Sequence, residues 1–253
     1  MEDFKNKYVL ITGGSRGIGK ATAKAFAELG ANVAISFNVN EKATKQTLEE
    51  LNGSNHIMIK ADISNPDDCE KMVNEVIGKF GRIDVLVNNA GLYKKHSIDE
   101  VSYSDWKNSW KQTIDLNLIG VANVCYLVSQ HMIKQKYGKI INISSRGAFR
   151  GEPDYTAYGA SKAGVNSLSQ SLALKLGKYN IFVGVIAPGF VDTDMATEFI
   201  HGSDKEKILA QSPLNRAAKP EEIAYAVSML ASDKAGYMTG CIIDVNGASY
   251  LRT

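Results

Sequence analysis

The sequence predicts a doubly wound α/β fold, a seven-stranded parallel sheet flanked by helices. Three observations predict it. Apolar runs of strand length alternate with amphipathic stretches of helix length along the chain, the order that builds parallel sheets. Most of these runs are continuously apolar, as in strands covered on both faces. A glycine-rich turn, Thr12-Gly13-Gly14-Ser15-Arg16-Gly17-Ile18-Gly19, joins the first run to the first helical stretch.

Strands are expected at 8–12, 33–37, 57–61, 83–88, 139–144, 182–187 and 241–245, and helices at 17–29, 41–52, 66–80, 104–134, 157–178 and 220–231. Asn40 is a good N-cap for the second helix. Pro66 followed by Asp67 and Asp68 suits the first turn of the third. The stretch 189–216 is the least patterned. A loop that long in a compact domain is usually functional or disordered, and its place just after a strand end makes it a substrate lid.

The 253 residues are expected to form a single domain over 1–253, with no repeat, low-complexity tract or long linker. The net charge of +2 gives no ground for a nucleic-acid or anionic-membrane partner. No apolar run reaches the roughly 18 residues of a membrane span. Met1-Glu2-Asp3-Phe4-Lys5 lacks the order of a signal peptide, so the cytoplasm is the expected location. Cys69, Cys125 and Cys241 are isolated and read as reduced, buried thiols. His56, His96, His131 and His201 have no zinc-type spacing, and no metal is expected.

The chemistry centres on Tyr158-Gly159-Ala160-Ser161-Lys162. A Tyr and a Lys four apart share one helix face. An ammonium beside a phenol is expected to lower its pKa from about 10. Ser145 lies thirteen residues before Tyr158 and can hydrogen-bond a carbonyl oxygen. Strand alternation points its neighbour Ser144 the other way. Tyr155 has Gly159 four residues on, so Tyr158 is the phenol paired with a Lys. Such a group can protonate an oxygen that is accepting a hydride.

The glycine turn suits a dinucleotide. Gly13 permits the tight turn, Gly17 lets the backbone approach a pyrophosphate at the helix N-terminus, and Gly19 allows close helix–strand packing. An acid at the end of the second strand would bind a ribose 2′-hydroxyl. That strand ends Ile35-Ser36-Phe37-Asn38, with no acid. Arg16 offers a guanidinium to a 2′-phosphate. The expected cofactor is NADP(H).

With these residues in place, the chain resembles the short-chain dehydrogenases/reductases, a family with a Rossmann-type fold. The resemblance runs through Thr12 to Gly19, Asp62, Asn88-Asn89-Ala90-Gly91, Asn117, Ser145, Tyr158, Lys162 and Pro188-Gly189-x-x-x-Thr193-x-Met195. It covers essentially the whole chain. Within the family the chain is most similar to the 3-oxoacyl-[acyl-carrier-protein] reductase group. That similarity rests on Ser15-Arg16, on Arg216 through Ile223 with Pro220-Glu221-Glu222, and on Tyr237-Met238-Thr239-Gly240.

The resemblance implies roles. Ser145 would polarise the carbonyl and Tyr158 would be the general acid in reduction. Lys162 would lower the Tyr158 pKa and bind the nicotinamide ribose, and Asn117 would hold a relay water. Asp62 and Asn88 to Gly91 would line the adenosine side, and Pro188, Gly189, Val191 and Thr193 the carboxamide. Ser15, Ile18, Phe37, Asn38 and Ile63 complete the implied cofactor contacts, with Gly13, Arg16, Gly17, Gly19, Asn89 and Ala90. The implied substrate is a ketone, first a 3-oxoacyl thioester on the acidic acyl carrier protein. Lys134, Lys136, Lys139, Lys175 and Lys178 would dock that carrier, or are simply solvated lysines. Other readings are a reductase for a sugar, steroid, quinone or secondary metabolite, or a non-catalytic NADP(H)-binding scaffold or sensor. A homotetramer built on helices 104–134 and 157–178 is implied.

Two positions depart from the family pattern. Its glycine three after the catalytic Ser falls here at Gly147, two after Ser145, and Ala248 stands where a second C-terminal glycine is frequent. Trp106 and Trp110 read as a buried helix stripe. Tyr93, Phe149 and Phe190 fall near strand ends, where they contact substrate or pack the surface.

Overall fold

The computed structural model describes residues 3–200, 202 and 205–252. Three residues of the expected lid (His201, 203 and 204) and the outermost positions of the expected domain lie outside that set. In chain order the strands are β1 (Tyr8–Thr12), β2 (Asn32–Phe37), β3 (Ile57–Lys60), β4 (Val85–Asn88), β5 (Gly138–Ile143), β6 (Ile181–Pro188) and β7 (Ile242–Val245). The helices are α1 (Gly17–Glu28), α2 (Glu41–Glu49), α3 (Pro66–Phe80), α4 (Tyr103–Ile114), α5 (Val121–Gln135), α6 (Gly147–Arg150), α7 (Thr156–Leu176), α8 (Thr197–Ile200), α9 (Lys205–Leu209) and α10 (Pro220–Ala231).

All seven strands join one parallel sheet in the order β3-β2-β1-β4-β5-β6-β7. The order reverses direction between β1 and β4, the point where such sheets open a ligand crevice at their strand ends. Both faces are covered. Phe26, Val33, Ile35, Val227 and Leu230 pack one face with α1 and α10. Leu10, Met72, Val76, Val128, Met132 and Ile140 pack the other with α3 and α5. This double burial is why β1 and β6 read as mostly apolar runs. Each such side chain removed from water contributes about 1.5–3 kcal/mol.

The helix starts follow their capping residues. Asn40 Oδ1 accepts from the Ala43 N–H at 3.0 Å, and Asn65 Oδ1 accepts from Asp67 at 2.9 Å. The expected helix 104–134 differs in detail. It begins at α4, passes through a π-helical stretch, Asp115–Gly120, and continues as α5. Gly120 lies so close to the Ile63 carbonyl oxygen that a Cβ there would collide with it. The run Tyr103–Gln135 has the length and apolarity to cross a membrane. Its stripe of Val121, Val124, Cys125, Val128 and Met132 is instead buried in the core.

The stretch 189–216 is not a bare loop. It carries a 3-10 turn at Asp194–Ala196 and the short helices α8 and α9, and Val191 pairs with Ala218 in an isolated parallel bridge. Trp106 and Trp110 are half-buried, with ring centroids 5.8 Å apart. The three thiols are free; burial pushes Cys69 up to about 11 and Cys125 up to about 12. Among the described residues no group of three or more His, Cys, Asp or Glu is placed to hold a metal. Ala248 sits at φ 57°, in the left-handed region. That backbone explains the glycine frequent at this position in the family, since a Cβ there is strained.

Candidate active site

The strands β1, β2, β4, β5 and β6 end along one edge of the sheet, and a cavity of about 570 Å³ opens there. The glycine turn forms its floor. Gly13 takes φ 68°, which lets the chain leave β1 sharply. A Cβ on Gly19 would collide with the Gly13 carbonyl oxygen, so α1 starts this close to the turn only with glycine there. Gly17 opens α1 and faces Thr193 across the cavity. The ends of β1 and β4 are clamped together. Thr12 Oγ1 accepts from Asn89 N–H at 3.1 Å and Ala90 N–H at 3.2 Å. Asn89 Nδ2 donates back to the carbonyls of Thr12 and Gly13 at 3.1 and 2.9 Å.

Gly13, Ser15, Arg16, Gly17, Ile18, Phe37, Asn38, Asp62, Ile63, Asn89, Ala90 and Gly91 line this side, and Pro188, Gly189, Val191 and Thr193 the other. The shape and chemistry fit a dinucleotide: small residues on the floor, and a helix N-terminus whose free N–H groups suit a pyrophosphate. Asp62 also turns its own loop, accepting from Ser64 N–H at 2.9 Å. Arg16 is exposed and lies 3.4 Å from Asp194, a solvated pair that is easily exchanged.

Ser145, Tyr158 and Lys162 meet at the inner end of the cavity. Ser145 follows β5, and its Oγ accepts from Gly147 N–H at 3.0 Å. Ser144 points away, donating to the Lys162 carbonyl at 3.3 Å. Lys162 is buried, and its Nζ donates to the Ile143 carbonyl at 2.8 Å and lies 5.7 Å from the Tyr158 ring. The expected drop in the Tyr158 pKa is not what the site produces. Burial pushes the phenol up to about 12, against a hydrogen bond with Ser145 that pulls it down. Burial also pushes Lys162 down to about 8. The Glu152 charge adds to the rise of the phenol. Tyr158 is therefore protonated at neutral pH, which suits a proton donor.

Asn117 is buried behind the site, outside the cavity wall. Its Oδ1 accepts from Leu92 N–H at 2.7 Å, and its Nδ2 donates to the Leu92 carbonyl at 2.9 Å and to Ser161 Oγ at 3.2 Å. The amide thus fixes the loop after β4 from behind the site. Asn88 is also set back from the cavity. It is buried under the sheet end and donates to Asn142 Oδ1 at 2.8 Å.

At the substrate end stand Tyr93 and Phe190, two of the aromatics expected near strand ends, with Phe199, Arg146 and Glu152, which sequence reasoning did not place. Tyr93 stacks on Tyr155 with centroids 3.8 Å apart and meets Tyr158 edge-on at 4.6 Å. Phe190 and Phe199 line the same wall, while Phe149 packs beneath Arg252 at 4.4 Å. Arg146 and Glu152 also line it. Burial pushes the Glu152 carboxyl up, opposed by Arg150 and Arg146. Charged residues in an otherwise apolar strand-end sequence were the available signal. Lys134 and Lys136 end α5, Lys175 and Lys178 end the α7 region, and Lys139 lies in β5 beside its first residue. All five sit at the opposite end of the strands from the cavity, and Lys139 is buried 3.2 Å from Asp233. They form no basic patch at the mouth.

A strand-end crevice with a glycine floor and a Ser–Tyr–Lys group at its inner end has the shape and chemistry that suit a nucleotide-dependent oxidoreductase. The chain belongs to the short-chain dehydrogenase/reductase family and is an NAD(P)-dependent oxidoreductase. Residues 13–248 match the family described as enoyl-(acyl carrier protein) reductase. The chain is 42% identical over 245 residues to the 3-oxoacyl-[acyl-carrier-protein] reductase of Chlamydia muridarum, covering 96% of both chains. It is 39% identical to that of Staphylococcus epidermidis over 97% of this chain and all of the other. A short chain dehydrogenase from Burkholderia cenocepacia J2315, solved in complex with NADP, superposes with a TM-score of 0.89 at 28% identity, covering 98% of this chain and 99% of that one. A short-chain type dehydrogenase/reductase from Mycobacterium ulcerans gives 0.91 at 30% identity, over 98% and 90%.

Proposed function

We propose that the chain is an NADPH-dependent carbonyl reductase whose leading substrate is a 3-oxoacyl thioester carried on acyl carrier protein. The observation that carries this reading is the meeting of Ser145, Tyr158 and Lys162 at the inner end of a cavity floored by the glycine turn. The curated relatives named as 3-oxoacyl-[acyl-carrier-protein] reductases support the substrate class. The missing acid after β2, the exposed Arg16 and the NADP held by the Burkholderia relative support NADP(H) over NAD.

Bound in this cavity, the nicotinamide supplies the hydride. Ser145 and Tyr158 present their hydroxyls to the carbonyl oxygen and stabilise the negative charge it gains. Tyr158, held protonated by its burial, gives its proton to that oxygen. Lys162 would hold the nicotinamide ribose, and its charge would steady the phenolate left behind. Asn117 is a positioning residue acting through Leu92 and Ser161. The cavity roof supplied by 189–216 serves as the lid.

The test is NADPH consumption with acetoacetyl-CoA, then with the acyl-carrier-protein form. Tyr158→Phe is expected to lower turnover about 10²–10³-fold while NADPH still binds. Near-normal turnover in that variant overturns the mechanism. The same reading holds the protein to be a cytoplasmic homotetramer. Exposed Tyr103, Tyr126 and Leu174 on α4, α5 and α7 support that interface. A monomer mass in light scattering removes it.

A further inference from the structure

Arg146 directly follows Ser145 and is only 4% exposed. Its guanidinium lies 4.7 Å from the Phe190 ring centroid. Nη2 donates to Gln211 Oε1 at 2.6 Å, and Arg150 Nη1 donates to the same oxygen at 2.9 Å. Nη1 of Arg146 is buried with no acceptor. Among the described residues neither arginine forms an ion pair. Two guanidinium charges therefore converge on one neutral amide oxygen.

A buried charge of this kind is costly unless an opposite charge meets it. Arg146 lines both the main cavity and a second one of about 420 Å³ beside it, so it stands where a substrate's far end arrives. Glu152 acts on both arginines from a distance but pairs with neither, and it is itself hydrogen-bonded to Tyr93. Its carboxyl packs over Gly147, 2.6 Å from where a Cβ would stand, on the side of Tyr93. Guanidinium groups favour planar anions that take two parallel hydrogen bonds.

We propose that Arg146 determines specificity by binding a carboxylate on the same molecule whose carbonyl meets Ser145 and Tyr158. The substrates are then oxo compounds bearing a free acid, either simple oxo acids or acyl thioesters with a terminal acid. This rests on the carbonyl-reduction reading, so its test does not depend on turnover.

The test is calorimetric titration of levulinate and glutarate, and of their methyl esters, into the protein saturated with NADP⁺. The acids are expected to bind roughly 10- to 100-fold more tightly than the esters. Arg146→Met removes that preference and Arg146→Lys keeps part of it. NADP⁺ binding by both variants reports that the fold is intact. Equal binding of acid and ester, no binding of either, or a preference that survives Arg146→Met overturns the proposal. Consumption of NADPH with acetoacetyl-CoA separates the two readings. If its uncharged acyl group is reduced while no acid binds, carbonyl reduction stands and the role of Arg146 falls. Arg146-dependent acid binding with no ketone reduced gives the reverse.

Discussion

On the side of β1, β2 and β4 the cavity wall is mostly main chain and small residues: Gly13, Ser15, Gly17, Ala90 and Gly91. Beyond Tyr158 the wall is made of large side chains, Tyr93, Arg146, Glu152, Phe190 and Phe199, drawn from four segments. On the proposed reading, the first wall meets what every dinucleotide shares, a pyrophosphate and two riboses, and the second meets only the molecule to be reduced. A wall of backbone has little freedom to vary, whereas a wall of side chains is rebuilt by single substitutions.

The sharpest way to break this contrast is to put one methyl group into the backbone wall. Gly19→Ala places a Cβ against the Gly13 carbonyl oxygen. Because that contact is with main chain, the turn itself must shift. Stability is expected to fall by about 1–3 kcal/mol, and cofactor affinity with it, as read by thermal denaturation and NADPH fluorescence titration. Unchanged cofactor affinity would mean the floor is not the nucleotide site.

Lys162 lies where the two walls meet, and it bears a cost. Its pKa in the folded chain is about 8, below the ordinary lysine value. Below pH 8 the native state carries a buried charge that the unfolded chain solvates freely. Between about 8 and 10.5 the unfolded chain binds more protons, so stability rises with pH. Lys162→Met is therefore expected to raise stability at pH 7 by about 1–3 kcal/mol while abolishing turnover. The gain shrinks as pH climbs through that window. A destabilised variant at pH 7 would show that the bond to the Ile143 carbonyl outweighs the desolvation.

A smaller effect is expected away from both walls. Arg216 pairs with Glu222 through two contacts of 2.7 Å, and Glu222 also accepts from Lys219 N–H at the start of α10. Arg216 and that backbone bond hold the carboxyl down at about 2. The folded pKa is depressed, so the stabilisation is present above about 4.5 and lost as pH falls through 2. Glu222→Gln should cost about 0.5–1 kcal/mol at pH 7, an amount limited by solvent exposure, and nothing near pH 2. A loss that persists in acid would point to packing rather than charge.

The same contrast explains what was legible in the sequence. Strand and helix positions followed from apolar runs and caps, and α3 and α10 fall at the expected 66–80 and 220–231. The glycine turn was legible because backbone geometry restricts residue type locally. Ser145, Tyr158 and Lys162 were legible because one strand end and one helix face hold all three. The second wall was not, because its contacts join residues far apart: Arg146 meets Gln211 across 65 positions. Tyr93 likewise reaches Tyr155 from the loop after β4. The pKa of Tyr158 was misread for a related reason, since sequence spacing gives a neighbouring lysine but not the burial that raises the phenol.

The π-helical stretch Asp115–Gly120 can be understood as a phase adjustment. An α-helix turns about 100° per residue. Asn117, inside the stretch, faces Leu92, and just downstream the stripe from Val121 to Met132 faces the core. One wide turn sets the phase between α4 and α5 without ending the helix. Deleting a single residue here would leave the helix continuous yet rotate α4 against α5.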